Sequence, residues 1–312
     1  MTQPVLILAR LPAALLDPLR ERFELVEQIL EAGDSLGDFP ERERVGIAVT
    51  MGNTPLTAST IERLPALRYL CHFGVGTDLL DLPALSARGV LVTNTPGANA
   101  SCVADLAVTM LLSLVKQVPQ ADAFVRRGAW GNERHGFNIP LAGRKVGIYG
   151  MGDIGTRTAA RLAAFEMEVG YYSRTPRPQS PHRRFASLME LAAWADDLVV
   201  AVAANAETQN SVGCEVLAAL GPSGVLVNVA RGSIIDEDAL IDALRSRAIA
   251  GAGLDTFRNE PDIRKEFRSL DNVILSPHVA GGTVRAVREA TATFLANLQR
   301  YLDGAPPQNV VR

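Results

Sequence analysis

Cysteine is scarce in this chain. Cys71, Cys102 and Cys214 are the three in 312 residues; being odd in number, far apart and outside any C-x-x-C spacing, they suggest neither a disulfide framework nor a zinc site. A reducing cytoplasm is the expected compartment, and the cysteines read as small buried apolar residues. Neither sign of charge is in excess: 31 Lys+Arg face 34 Asp+Glu, a net of −3. No overall field draws in nucleic acid or an anionic membrane, and aromatics at 5% leave little for base stacking. Neither partner is expected. Long hydrophobic runs are missing too, since the most apolar window, 102–115, carries Asp105 and stops short of the roughly 20 residues of a membrane span. The opening MTQPVLILARLPAALL has no basic stretch before its apolar residues, so it reads as a strand (Val5 to Leu8) entering a helix, not as a signal peptide. Among the charged residues lysine is rarest: only Lys116, Lys145 and Lys265 occur, so the other 28 basic residues are arginine.

What is present is an alternation of short β-rich runs with helical patterns. The runs are 5–8, 45–49, 68–73, 90–94, 145–150, 168–173, 197–202, 224–229, 249–254 and 272–276. They are nearly continuous in apolar residues, as strands of a parallel sheet buried on both faces must be. Amphipathic stretches at 57–64, 154–165, 185–194 and 236–246 lie between them, so the fold class expected is α/β, doubly wound and parallel. Asn99 to Arg127 runs without glycine, interrupted only by Pro119, and reads as a linking element between domains. A second boundary is expected at AGGT (280–283). The chain is accordingly read as two domains with a cleft between them: 1–97 completed by 283–312, and 98–282.

The sequence Gly150-Met151-Gly152-Asp153-Ile154-Gly155 is G-x-G-x-x-G between the strand KVGIYG and a helix with Ile154, Ala159, Leu162 and Phe165 on one face. Such glycines allow a tight turn, close approach of a pyrophosphate and close helix–strand packing, while the helix N-terminus holds the anion. A plain structural turn is the alternative. At the tip of the next strand, where Asp or Glu would bond the 2′-hydroxyl of NAD, stand Ser173, Arg174 and Thr175 with Arg177 nearby. Glu166 and Glu168 lie at the strand's other end. A guanidinium fork beside a hydroxyl suits a 2′-phosphate, so NADP(H) is the preferred cofactor, with NAD(H) used less efficiently; a solvated loop arginine is the bland reading of Arg174.

Three further strand ends carry Arg231, Glu260 and His278. In an open α/β sheet the carboxyl ends of strands face the ligand crevice, so residues far apart in sequence can converge. Singly, each has an ordinary reading as ion-pair partner, solvated turn or satisfied histidine. Together they suit reduction of a 2-keto acid beside a nicotinamide: a histidine held by a carboxylate serves as acid or base, and an arginine pairs the substrate carboxylate and polarises the keto group. No metal is required.

The stretches FGVGTDLLD (73–81), VTNTPGANA (92–100), GIYGMGDIG (147–155), VNVARGSIIDEDAL (227–240), AGAGLDTFRNEP (250–261) and ILSPHVAGGT (274–283) closely resemble the D-isomer specific 2-hydroxyacid dehydrogenases, in particular the glyoxylate/hydroxypyruvate and hydroxyphenylpyruvate reductases. The resemblance implies His278 as acid/base, Glu260 as its orienting carboxylate and Arg231 as the substrate-binding residue. It further implies that the Gly74-Val75-Gly76 turn binds the substrate carboxylate, that Asp255 bonds the nicotinamide carboxamide, that the terminal segments hold substrate and the middle domain cofactor, and that the protein is a homodimer. A tight turn is the other reading of the 74–76 glycines, although adjacent N–H groups there suit an anion nest.

The chain departs from the family in reading Val103-Ala104-Asp105 for V-A-E, and in lacking the prolines often found in the loop 203–210. In some hydroxypyruvate reductases a partner's aromatic closes the pocket; Trp130 and Phe137 are offered here, at uncertain register. The pocket wall is assigned to Met51-Gly52 and His72-Phe73, with His72 either packed or in contact, and His135 and His182 read as surface. Glyoxylate and hydroxypyruvate are the first substrates and phenylpyruvates the second, since pocket shape alone shifts preference by only about 1–3 kcal/mol. A dinucleotide-sensing corepressor of the same architecture is the alternative from another class, and a methyltransferase sharing the glycine turn is a further rival.

Overall fold

The architecture comes from a computed structural model, described over residues 4–31, 35–52, 54–136 and 138–311. The chain divides into two compact units, residues 1–99 with 282–312, and residues 100–281.

The first unit is a five-stranded parallel sheet of β1 (Val5–Ile7), β2 (Leu25–Glu27), β3 (Ile47–Met51), β4 (Tyr69–Phe73) and β5 (Leu91–Thr93), in the order β2-β1-β3-β4-β5. Because successive side chains leave a strand on opposite faces, its apolar runs feed two cores. Leu6, Ala48, Leu70 and Val92 pack on one face with Ile61, Leu64 and Leu85. Val5, Ile7, Ile47, Val49, Tyr69 and Cys71 pack on the other with Leu15 and Leu19 and with Ala290, Phe294 and Leu298 of the C-terminal helix Val284–Leu302. That helix makes the unit discontinuous: Tyr301 stacks on Tyr69 with ring centroids 4.2 Å apart, and Val310 bridges to Thr93.

The second unit is a seven-stranded parallel sheet of β6 (Lys145–Tyr149), β7 (Glu168–Tyr172), β8 (Arg183–Arg184), β9 (Asp197–Val200), β10 (Val225–Asn228), β11 (Gly251–Leu254) and β12 (Val273–Leu275). Its order is β12-β11-β10-β9-β6-β7-β8. Winding therefore reverses between β6 and β9, the switch point where an open α/β sheet offers its crevice. One face is covered by helices Ala100–Val115 and Asp153–Ala163, the other by Leu188–Trp194, Cys214–Leu220 and Glu237–Arg245.

Several expectations need correction. The segment from Asn99 is not a linking element but two helices, Ala100–Val115 and Val118–Arg126, bent by 57°. Gln117 takes a left-handed φ of 52° at the break, and the first helix buries Val103, Ala107, Leu111 and Leu114 in the second unit's core. No single helix among the described residues is long and apolar enough to cross a membrane. Phe165 lies beyond the end of helix Asp153–Ala163 and is exposed. Of the cysteines only Cys71 is buried; Cys102 is half-buried and Cys214 exposed. His135 and His182 do lie in loops, each partly covered: His135 meets the Phe124 ring edge-on, and burial lowers His182 from its ordinary value. Phe137 lies outside the described residues, while Trp130 is 77% exposed.

Candidate active site at the carboxyl ends of the second sheet

The glycine turn leaves the end of β6, at the switch point. Gly150 has φ 101°, and a Cβ there would meet the Val202 Cα at 2.6 Å; a Cβ on Gly155 would lie 2.0 Å from the Gly150 carbonyl oxygen. Only glycine allows that turn and that approach of helix to strand. Around Gly152, by contrast, a Cβ would meet nothing within 4 Å. The turn is tight on its protein side and open in front of the N-terminus of helix Asp153–Ala163, where Gly152 is the N-cap, so it fits a pyrophosphate. Asp153 is exposed and Ile154 half-buried.

At the tip of β7 the structure adds contacts that sequence spacing does not reveal. Ser173 Oγ donates to the Thr175 carbonyl at 2.7 Å, and Arg177 Nε donates to the Met151 carbonyl at 2.9 Å, pinning the tip to the glycine turn. Arg174 is exposed and meets Glu207 Oε2 at 3.2 Å. An exposed pair of this kind is worth little, so Arg174 is available to a phosphate. Glu207 comes from the loop 203–210, which is ordered without proline because Asn205 Oδ1 accepts from the N–H groups of Glu207 and Thr208. Asp105 accepts from Arg161 Nε at 2.6 Å, and Arg161 also donates to Ser101 Oγ. The shorter acid thus ties the two helices on that face together.

Arg231 follows β10 on a turn shaped by Asn228, whose buried amide donates to the Arg231 carbonyl at 3.0 Å and accepts from the Ala230 N–H at 3.1 Å. Gly232 then passes against the next loop so closely that a Cβ would lie 1.9 Å from the Phe257 carbonyl carbon. The loop that carries Glu260 is therefore locked to the one that carries Arg231, and buried Glu237 Oε1 holds it further by accepting from the Arg258 N–H at 2.9 Å. Glu260 Oε1 accepts from the Phe257 N–H at 2.8 Å, and Oε2 lies 2.6 Å from His278 Nδ1. Burial alone would raise the Glu260 carboxyl; the bonds from His278 and Phe257, with the nearby charges of His278 and Arg231, outweigh it and hold the group below its ordinary value.

His278 has φ 52°, an uncommon conformation for a residue with a Cβ. It is held from both sides by Asp255, which is 1% exposed. One oxygen of Asp255 accepts from Ser276 Oγ at 2.6 Å and the Val279 N–H at 3.0 Å, the other from the Ala280 N–H at 3.1 Å. A carboxylate has about four acceptor sites, so one is left for a further donor. Asn228, Ser276, Glu237 and Gly232 were missed in the sequence. Asn228 alone left a signal, as a lone amide in the apolar run GVLVNVA.

In the first unit, Gly74, Val75 and Gly76 leave the end of β4. Thr95 accepts from the Gly74 N–H and donates its own N–H to the Gly74 carbonyl, Asn94 Nδ2 donates to the Val75 carbonyl, and His72 is buried and bonded to Gly76.

With this geometry in place, likeness to known proteins decides the lineage. Residues 108–280 match the model of the NAD binding domain of D-isomer specific 2-hydroxyacid dehydrogenases, and full-length relatives match as well. The chain belongs to the D-isomer specific 2-hydroxyacid dehydrogenase family. It is 36% identical over 304 residues to hydroxyphenylpyruvate reductase of Plectranthus scutellarioides, covering 97% of this chain and 96% of that one. It is 36% identical over 310 residues to a glyoxylate/hydroxypyruvate reductase of Arabidopsis thaliana, covering 97% and 95%. Among solved structures it is similar to the NADPH-dependent glyoxylate/hydroxypyruvate reductase of Sinorhizobium meliloti, in complex with NADP and malonate, with a TM-score of 0.91 and 36% identity over 100% of this chain and 97% of that one. For a 2-hydroxyacid dehydrogenase, Arg231, Glu260 and His278 all stand in the second unit, on the loops that follow three neighbouring strands, β10, β11 and β12.

Proposed function

We propose that this dehydrogenase is an NADPH-preferring reductase that transfers a hydride to the keto carbon of a small 2-keto acid, glyoxylate or hydroxypyruvate, and yields the D-2-hydroxy acid. The observation that carries this reading is the 2.6 Å pairing of His278 Nδ1 with Glu260, within the field of Arg231. Because the ionised Glu260 only accepts, Nδ1 must carry a hydrogen, and Nε2 is the atom left to exchange a proton with substrate. A bound reduced nicotinamide supplies the hydride. His278 Nε2–H gives its proton to the keto oxygen as negative charge develops there, and Glu260 stabilises the imidazolium before transfer and orients the ring after it. Arg231 pairs with the substrate carboxylate and draws electron density from the keto carbon. Gly150, Gly152, Asp153, Ile154 and Gly155 form the pyrophosphate turn, Ser173, Arg174 and Thr175 receive the 2′-phosphate, and the remaining acceptor site of Asp255 takes the carboxamide. Gly74, Val75 and Gly76 bind the substrate carboxylate. In this reading residues 1–97 with 283–312 hold substrate and 98–282 hold cofactor.

The enzyme is further read as a cytoplasmic homodimer. Val118 and Val125 on helix Val118–Arg126 and Trp130 just beyond it are exposed, an apolar stretch that suits a second copy.

A second reading, reduction of hydroxyphenylpyruvate, is favoured by the likeness to the Plectranthus enzyme. The two separate on kcat/KM with NADPH. A ratio above one for hydroxypyruvate over hydroxyphenylpyruvate supports the first reading, and a ratio below one supports the second. No turnover of either, or of glyoxylate, rejects both and leaves the corepressor-like binding protein.

A further inference from the structure

The turn at 74–76 has each of its three carbonyls tied to a different donor. The Gly74 carbonyl accepts from the Thr95 N–H at 2.9 Å, the Val75 carbonyl from Asn94 Nδ2 at 2.8 Å, and the Gly76 carbonyl lies 2.8 Å from His72 Nε2. Of the N–H groups, that of Gly74 is taken by Thr95 Oγ1 at 3.1 Å. No acceptor among the described residues takes the N–H of Val75 or of Gly76. A short backbone segment whose carbonyls are drawn back one by one turns its remaining N–H groups to an anion.

Thr95 and Asn94 belong to the segment after β5, but the third tie is a side chain from inside the sheet. His72 is 1% exposed and sits on β4 opposite Thr50 of β3, its register partner. Its Nδ1 lies 2.9 Å from the buried Thr50 hydroxyl. Since the Gly76 carbonyl can only accept, Nε2 carries a hydrogen, and the Thr50 hydroxyl supports the opposite side of the ring. A planar ring braced between two strands has little freedom left, so Gly76 is held before any ligand arrives, the condition under which a backbone donor contributes most to binding an anion.

We propose that His72 is a positioning residue for the substrate carboxylate, fixing Gly76 so that the N–H groups of Val75 and Gly76 meet the anion. This rests on the assignment of the 74–76 turn made under the proposed function. His72→Leu keeps the volume and removes both ring bonds; His72→Gln returns an amide N–H near the place of Nε2. Oxamate, a carboxylate analogue of a 2-keto acid, reads the turn directly through its effect on the fluorescence of bound NADPH.

The expected result for His72→Leu is a rise of about tenfold in both the oxamate Kd and the keto-acid KM, the scale of one lost buried bond. kcat should stay within about twofold and NADPH affinity unchanged, with His72→Gln recovering most of the loss. A purely structural role would instead lower the active fraction, and so kcat, without moving KM. Oxamate and keto-acid constants for His72→Leu equal to wild type, or a His72→Gln no better than His72→Leu, overturn the proposal. If wild type binds oxamate but reduces no 2-keto acid, the reductase reading fails while the titration still decides on His72; if wild type binds no oxamate, the carboxylate role of the turn and of His72 both fall. Should His72→Leu not fold, Thr50→Val unbraces the ring from the other side. It is expected to raise the same constants in the same direction but less, and no rise overturns the proposal.

Discussion

Two carboxylate–cation pairs lie at opposite ends of the second unit's sheet, both closed at 2.6 Å. At the amino ends of β6, β9 and β10, Arg144 grips Asp197 through two bonds, 2.6 and 2.7 Å, with side chains 7% and 0% exposed. Arg144 also donates to the Ser223 carbonyl, and Asp197 accepts from the Val225 N–H, so the pair is tied into the backbone on both sides. Burial works against the Arg144 charge, yet the bonds and charge of Asp197 outweigh it and raise the group further above its ordinary value. At the carboxyl ends, His278 and Glu260 are 41% and 32% exposed. There the partner of the carboxylate is a histidine, a side chain that can exchange a proton with a ligand. Equal distances thus serve opposite ends: a buried ion pair that clasps three strands, and a partly exposed pair open to a ligand. Accessibility and the kind of cation separate them, and bond length does not.

The sharpest way to break this contrast is to remove one member at each end. His278→Gln is expected to lower turnover by about 10²- to 10⁴-fold while NADPH affinity and thermal stability stay at wild-type values; steady-state kinetics beside a cofactor titration and a melt check this. Asp197→Asn should do the reverse, since it leaves Arg144 buried without its counter-charge. A loss of about 3–5 kcal/mol in denaturant unfolding is expected, with kcat per folded molecule unchanged. If Asp197→Asn impaired chemistry and spared stability, the division of labour would be wrong.

Glu260→Gln sharpens the comparison by changing only the charge beside His278. Without the carboxylate the protonated ring loses both its counter-charge and its orientation, and kcat should fall by about 10²-fold, read by steady-state kinetics. A pH dependence is expected from Glu260 itself. Its carboxyl lies below the ordinary value in the folded protein, so its contribution to stability is fully present above the ordinary carboxylate range. It is lost as pH falls through the lowered value, and an acid unfolding curve of Glu260→Gln should lack that component. The smallest effect concerns cofactor choice. Arg174→Ala should raise the KM for NADPH about tenfold and the KM for NADH little, whereas equal changes would show that the 2′-phosphate is recognised elsewhere.

The α/β parallel class was legible because central strands such as VGIYG and VLVN are apolar on both faces, a pattern few other environments require. The strands that escaped notice are β2 and β8, each at an edge of its sheet. Edge strands here are short and partly solvated, Leu25–Glu27 and Arg183–Arg184, so neither carries an apolar run. The break at Gln117 left one mark, Pro119 in the first turn of the second helix, whereas a left-handed φ at a non-glycine residue leaves none in composition. Polar residues standing alone at strand ends, such as Arg231 and His278, were conspicuous. Their supports were not: Asp255 bonds Ser276 across 21 residues, and Arg144 reaches Asp197 across 53. Such contacts exist only once parallel strands bring the segments together.

The central claim is that the exposed Glu260–His278 pair delivers a proton to a 2-keto acid as hydride arrives. The most direct measurement mixes wild-type enzyme, NADPH and hydroxypyruvate and follows the near-ultraviolet absorbance of the reduced nicotinamide together with the product. The account predicts loss of NADPH matched mole for mole by D-glycerate, absent when His278→Gln replaces wild type. Undiminished turnover by His278→Gln, or no keto-acid-dependent loss of NADPH by wild type with hydroxypyruvate, glyoxylate or phenylpyruvate, would contradict it.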